Sequence, residues 1–237
     1  MIVELMGPPG SGKSTVAEIL QSLLKEKGLQ ALAAPRMGEL LLQKNRICLS
    51  LREVKAWQAV WFSLEHPSLV RIALLAQRER PIPWEHRYWG IRWFLKTAGL
   101  SRFLRRHLTT GEVAVFDEGL THRAVTLFAS DQESPDADTV AHYVRLLPVP
   151  DVLIRVYASP ELCVQRLRGR APMLRLRNRD PEAIVPFVKH QFDTIQLIMS
   201  EAERCGWPLI SIDNTASLIG LEQQLRSGWS GYLHDLF

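Results

Sequence analysis

An α/β fold, a doubly wound parallel sheet of about five strands with helices on both faces and a helical insertion, is predicted by two features of the sequence. The first is a set of almost wholly apolar runs: Met1–Met6 (MIVELM), Glu112–Phe116 (EVAVF), Val152–Tyr157 (VLIRVY) and Leu209–Ile212 (LISI). A strand apolar on both faces belongs in a parallel sheet covered on both sides, since a half-exposed strand would alternate. The second is that stretches with helical spacing separate these runs, as crossover connections between parallel strands require.

Taken in order, Met1–Met6 is the first strand and a glycine-rich turn follows it. Val16, Ala17, Ile19, Leu20, Leu23 and Leu24 then recur at helical spacing. Leu29–Ala34 (LQALAA) reads as a second strand ended by Pro35. Helices are expected over Leu40–Leu51, Val54–Leu64 and Leu69–Gln77, with breaks near Pro67, Pro81 and Pro83. Two shorter ones are expected at Tyr88–Lys96 and Leu100–His107. Residues 36–110 are too long for a simple crossover, so they are expected to form a helical insertion over the strand ends, where ligands bind in such sheets.

Beyond the EVAVF strand, Ser159-Pro160-Glu161 supplies an N-cap, a proline at the first helical position and an early acid. Asp180-Pro181-Glu182 repeats that signal for a helix to about Arg204, closed by Gly206. Residues 216–227 are the last expected helix, and the 237 residues read as a single domain.

The apolar share of 46% and charged share of 23% are those of an ordinary globular chain. No apolar run approaches the length of a membrane span, and the first strand starts at the N-terminus, leaving no targeting segment. Cys48, Cys163 and Cys205 are odd in number and far apart, which fits reduced thiols in a cytoplasmic protein better than a disulfide or zinc framework. The net charge of +4 is concentrated in residues 36–110 and 166–179. Such basic regions suit a phosphate-bearing small molecule as well as a polynucleotide.

The turn after the first strand reads Gly7-Pro8-Pro9-Gly10-Ser11-Gly12-Lys13-Ser14-Thr15, a complete G-x-x-x-x-G-K-[ST] phosphate-binding loop between strand and helix. Its glycines let successive N–H groups converge on one anion at the positive end of the new helix. Lys13 is the expected partner of the β/γ-phosphates, and the Ser14 hydroxyl the expected Mg²⁺ ligand. The fold expectation is therefore a P-loop NTPase that binds a nucleoside triphosphate.

The EVAVF strand ends in Asp117-Glu118-Gly119. A carboxylate there can hold Mg²⁺ beside Ser14, and its neighbour can orient or deprotonate a nucleophile. Asp117 is assigned to the metal and Glu118 to the acceptor, although the two roles are interchangeable on sequence alone. The alternative for either acid is to cap a helix starting near Thr121. Arg123 is a candidate for an acceptor phosphate, or else a solvated surface arginine. A GTP-dependent switch would carry D-x-x-G after this strand and an [NT]-K-x-D motif; neither occurs.

Arg166, Arg168, Arg170, Arg175, Arg177 and Arg179 fall within fourteen residues without an acid among them. They would repel one another unless an anion or solvent separates them. A cover over a triphosphate, residues 166–180, is the functional reading, and a solvated basic face the bland one. Arg166, Arg170 and Arg175 are the candidates for phosphate contact, Arg170 among the catalytic set.

The strand, Ser-Pro-Glu, the helix ending Arg-Leu-Arg-Gly-Arg and the arginine-rich stretch resemble the lid region of thymidylate-kinase-like and other nucleotide-kinase-like P-loop kinases. With Gly7–Thr15 and Asp117, the likeness covers about residues 1–35 and 112–215. It implies a five-stranded parallel sheet, Mg-ATP as donor and a helical insertion that recognises the acceptor. Asp117-Glu118-Gly119 departs from the Asp-Arg-Tyr/Phe of thymidylate kinases. Asp117–Arg123 likewise departs from the Asp-Gly-Phe-Pro-Arg of adenylate kinases.

Residues 36–110 hold five of the seven tryptophans and fourteen Lys/Arg against five acids. Trp57/Trp61 and Trp89/Trp93 are i, i+4 pairs, each sharing a helix face. Packing on the core is the preferred reading for most of them; an aromatic-walled acceptor pocket is the other. Arg36, just past the second strand, is a candidate clamp for the acceptor. These readings converge on a phosphotransferase moving the γ-phosphoryl group of ATP to a nucleotide, nucleoside or other small hydroxylated acceptor. The competing readings are an ATPase or nucleotide-dependent switch on a macromolecule, and a polynucleotide end kinase, which the basic surface permits without favouring.

Overall fold

Five strands, all parallel, lie in the order β2-β3-β1-β4-β5 in a computed structural model that describes residues 1–32, 51–78, 83–129, 135–169, 181–215 and 218–233. β1 (Ile2–Met6) is central, between β3 (Glu112–Phe116) and β4 (Val152–Tyr157); β2 (Gln30–Leu32) and β5 (Leu209–Asp213) are the edges. The register pairs Val3 with Val115 and Val152, and Tyr157 with Asp213. Parallel pairing brings all the carboxyl ends to one edge of the sheet. The doubly wound sheet read from the sequence is thus the fold.

Because strand side chains alternate, the sheet carries two different cores. Val3 and Leu5, with Val113, Val115, Ile154, Val156, Ile210 and Ile212, pack with Val16, Leu20 and Leu24 of α1 (Lys13–Glu26) and Leu221 and Leu225 of α9 (Leu218–Leu233). On the opposite face Met6 packs into a larger cluster, which also holds Phe94 of α4 (Trp84–His107) and Val125 and Phe128 of α5 (Arg123–Phe128). Val140, Tyr143 and Val144 of α6 (Ala137–Leu146) and Ile195, Ile198 and Met199 of α8 (Ile184–Arg204) belong to it as well. Each fully buried aliphatic side chain contributes about 1.5–3 kcal/mol.

The segment between β2 and β3 contributes α2 (Leu51–Glu65), α3 (Pro67–Arg78) and α4. The expected helix over Leu40–Leu51 and most of the second strand's tail lie outside the described residues. The two short helices expected at Tyr88–Lys96 and Leu100–His107 are one, α4. Gly99 lies buried within it, and packing outweighs the cost of about 1 kcal/mol for a helical glycine. The last helix runs on to Leu233 rather than ending near 227.

α6 was not expected from the sequence; Asp136 starts it by accepting from the Thr139 N–H at 3.0 Å. Ser159 caps α7 (Pro160–Arg168) as anticipated, accepting from the Leu162 N–H at 3.2 Å. A 3₁₀ turn at Pro181–Ala183 leads into α8. Gly206, at φ +71°, ends α8 with its N–H on the Glu203 carbonyl.

The tryptophans correct an expectation. Trp57, Trp61, Trp84 and Trp89 are exposed, 71% in the case of Trp84, while Phe62 and Phe94 are buried on the same helices. The i, i+4 pairs do share faces, with centroids 5.8 Å apart for Trp57/Trp61 and 6.1 Å for Trp89/Trp93. The exposed members turn away from the core, because the smaller Phe rings and Ala98 fill it. Cys163 and Cys205 are free thiols; Cys48 lies outside the described residues. Among the described residues no helix is long and apolar enough to cross a membrane.

Candidate active site

The carboxyl end of β1 delivers the chain into Gly7–Gly12, and α1 begins at Lys13. Gly10 and Gly12 sit at φ +85° and +90°, a left-handed backbone that glycine adopts at little cost. Gly7 is needed for space: a Cβ there would lie 2.5 Å from the Val156 carbonyl oxygen. No side chain caps α1, which leaves its first N–H groups available to an anion at the loop. Lys13 is buried, and its Nζ donates to the Gly7 carbonyl at 2.8 Å and the Pro8 carbonyl at 3.2 Å. Burial pushes its ammonium pKa down, while Glu118 and Asp117 oppose that shift.

β3 brings the acids to the same place. The Ser14 hydroxyl donates to Asp117 Oδ2 at 2.9 Å. Asp117 Oδ1 is buried and has no hydrogen-bond partner. Neither acid caps α5: the cap position is His122, and no side chain caps that helix. Glu118 pairs with Arg123 Nη2 at 3.2 Å and lies 3.6 Å from His122 Nε2. The side chain is half-exposed; its partial desolvation alone would raise the Glu118 pKa, but His122, Arg123 and Lys13 together hold it below the usual carboxylate range. Arg123 is no solvated surface arginine. Its side chain is 13% exposed, and its Nε donates to Thr97 Oγ1 of α4 at 3.1 Å.

Behind these acids stands Glu4, buried in the middle of β1. Its carboxylate accepts from the Leu120 N–H at 3.0 Å and the Thr121 N–H at 2.8 Å. Burial pushes its pKa up, against the hydrogen bonds from Thr121 and Leu120. The Tyr143 hydroxyl donates to the Leu120 carbonyl at 3.3 Å from the other side.

The outer wall comes from β4 and β5. Asn214, just past β5, donates from Nδ2 to the Ser11 carbonyl at 2.6 Å, and its own N–H donates to the Tyr157 carbonyl at 2.8 Å. Arg166 of α7 donates to the carbonyls of Gly10 at 3.1 Å and Asn214 at 3.3 Å. Its guanidinium therefore braces the phosphate-binding loop from outside. Arg168 points away, pairing with Glu182 at 3.2 Å. Arg36, Arg170 and Arg175 lie outside the described residues, as does most of the expected 166–180 cover.

The structure thus brings together Gly7, Pro8, Pro9, Gly10, Ser11, Gly12, Lys13, Ser14 and Thr15 with Asp117, Glu118, Arg123 and Arg166. Among the described residues no three His, Cys, Asp or Glu side chains cluster as a metal cage. Ser14 and the unpartnered Asp117 oxygen fit Mg²⁺, which keeps most of its shell as water and phosphate oxygens. Sequence reasoning missed Glu4, Thr97, Tyr143 and Asn214. Only Glu4 left a signal, as the single acid in an otherwise apolar strand.

No family model and no curated relative matches the sequence. Two solved structures of a deoxyadenosine kinase from M. mycoides do match the fold. One, with the products dCMP and a flexible dCDP bound, has a TM-score of 0.53 at 12% identity and covers 98% of this chain and 100% of its own. The other, with bound dATP, has a TM-score of 0.52 at 12% identity and covers 97% and 99%. Nearly its whole length is thus matched, and the chain shares the fold of that deoxyadenosine kinase.

Proposed function

We propose that the protein is an ATP-dependent phosphotransferase whose acceptor is a nucleoside. The observation that carries the reading is the convergence of Lys13, the Ser14–Asp117 pair and Glu118 at the adjoining carboxyl ends of β1 and β3. The fold shared with a deoxyadenosine kinase supports a nucleoside over a larger acceptor.

In this reading the loop N–H groups and Lys13 hold the β- and γ-phosphates, with the Lys13 ammonium exchanging two loop carbonyls for phosphate oxygens. Ser14 and Asp117 hold Mg²⁺, which when bound neutralises phosphate charge. The acceptor hydroxyl oxygen forms the new bond to the γ-phosphorus as the bond to the β–γ bridging oxygen breaks, and ADP departs. The hydroxyl proton passes to the Glu118 carboxylate. A carboxylate held below its usual pKa is ionised at neutral pH, which suits it to orient that hydroxyl and take the proton as the P–O bond forms. Arg123, fixed by Glu118 and Thr97, sets the carboxylate's direction and places positive charge beside the acceptor. Arg166 supports the loop; the sequence candidates Arg170 and Arg175 for phosphate and Arg36 for the acceptor lie outside the described residues.

The test is ADP formation from Mg-ATP by the wild type and by Lys13→Ala, with and without a panel of nucleosides. Lys13-dependent ADP that appears only with a nucleoside is the expected result. The same rate without an acceptor marks an ATPase instead.

A further inference from the structure

The buried carboxylate in β1 has no place in the phosphotransfer scheme. We infer that Glu4 is a positioning residue, which fixes the turn after β3 so that Asp117 and Glu118 meet Ser14 and Lys13. The inference rests on the nucleotide-binding reading of that site.

Glu4 belongs to the central strand, three residues before the phosphate-binding loop, and its register partner in β3 is Phe116, the residue before Asp117. Its two oxygens each take one backbone N–H of the turn, at Leu120 and Thr121. The turn is tightly fitted to it: a Cβ on Gly119 would lie 2.2 Å from Glu4 Cδ. Tyr143 of α6 holds the Leu120 carbonyl, so both polar groups of Leu120 are tied to buried side chains from different elements. An aliphatic residue at position 4 would suit the apolar strand but leave two buried N–H groups without an acceptor. One strand therefore carries both halves of the site, the loop at its end and the mount for the acids in its middle. Glu4 acts through the turn, and no reacting group need touch it.

The experiment measures ATP binding by calorimetry with and without Mg²⁺ for the wild type, Glu4→Gln and Gly119→Ala. Glu4→Gln keeps the shape but presents an amide donor to one of the two N–H groups. Gly119→Ala disturbs the same joint from the turn, with Glu4 unchanged. The phosphate-binding loop is intact in both, so Mg²⁺-free affinity should match the wild type. The gain in affinity on adding Mg²⁺ should fall about tenfold, the loss expected when the support of a metal ligand is removed. A folded variant of either kind with the full Mg²⁺ gain overturns the inference. If Glu4→Gln does not fold, Gly119→Ala decides alone. A wild type that binds no ATP under either condition overturns the nucleotide reading itself, and the inference with it.

Discussion

Ser14 and Asp117, 103 residues apart in the chain, are joined by a hydrogen bond of 2.9 Å from the serine hydroxyl to one carboxylate oxygen. The other oxygen, Oδ1, is buried with no partner. On the proposed reading, a carboxylate so divided, one oxygen anchored and the other unpartnered, would receive a cation beside the phosphates.

Asp117→Asn should therefore leave Mg²⁺-free ATP binding nearly unchanged while lowering kcat by about 100-fold and raising the Mg²⁺ concentration needed for half-maximal rate. Initial rates across a Mg²⁺ titration check this. An unchanged Mg²⁺ requirement would remove Asp117 from the metal.

Glu118, half-exposed, is ionised because His122, Arg123 and Lys13 outweigh its partial desolvation. Removing one of those charges must raise its pKa. Arg123→Ala should move the acidic limb of the kcat/KM profile to higher pH, whereas Glu118→Gln should abolish that limb and cost about 100- to 10,000-fold in kcat. The pH–rate profiles of both variants are the measurement.

Gly12→Ala combines a φ of +90° with a Cβ placed 2.0 Å from Asn214 Nδ2. The backbone conformation alone costs about 1–2 kcal/mol. A thermal midpoint lowered by about 3–6 °C, together with weakened ATP binding, is expected from scanning calorimetry and titration.

Far from the site, Glu201 is gripped by Arg204 at 2.6 Å and Arg145 at 2.6 Å, and its pKa drops from 4.5 to about 2, chiefly through hydrogen bonds from Arg204 and then Arg145. A depressed carboxyl stabilises the fold above its unfolded pKa, and that stability is lost as pH falls towards 2. Both arginines are exposed, so solvent screening reduces the contribution to about 1 kcal/mol. Denaturant melts between pH 5 and 2 should show this loss in the wild type and not in Glu201→Gln.

What the sequence disclosed, and what it withheld, follows from the range of the interactions. The phosphate-binding loop was legible because its glycines, Lys13 and Ser14 act within nine consecutive residues. β3 and β4 were legible to the residue because strands covered on both faces form nearly unbroken apolar runs, with Arg155 the one polar residue inside β4. Glu4 breaks that pattern, and the partners that explain it are 116 and 117 residues away. Asn214 left no signal, since its part is to reach a carbonyl 203 residues earlier. Periodicity showed that Trp57 and Trp61 share a face, but which face turns inward depends on how Phe62 packs against Phe94, 6.4 Å away on another helix.

The sheet order has a consequence for how such a chain can change. From β1 the chain winds outward to β2 and β3 on one flank, then crosses to β4 and β5 on the other. The insertion of α2, α3 and α4 belongs wholly to the first winding, and α7 with its arginines wholly to the second. β1, which leads into the glycine loop, stands on the seam between them, in fixed register with a strand from each half. Either flank can be lengthened, resurfaced or replaced as a module while the seam keeps its geometry. On the proposed reading, selection can thus alter the insertion on one flank and α7 on the other as separate inheritances.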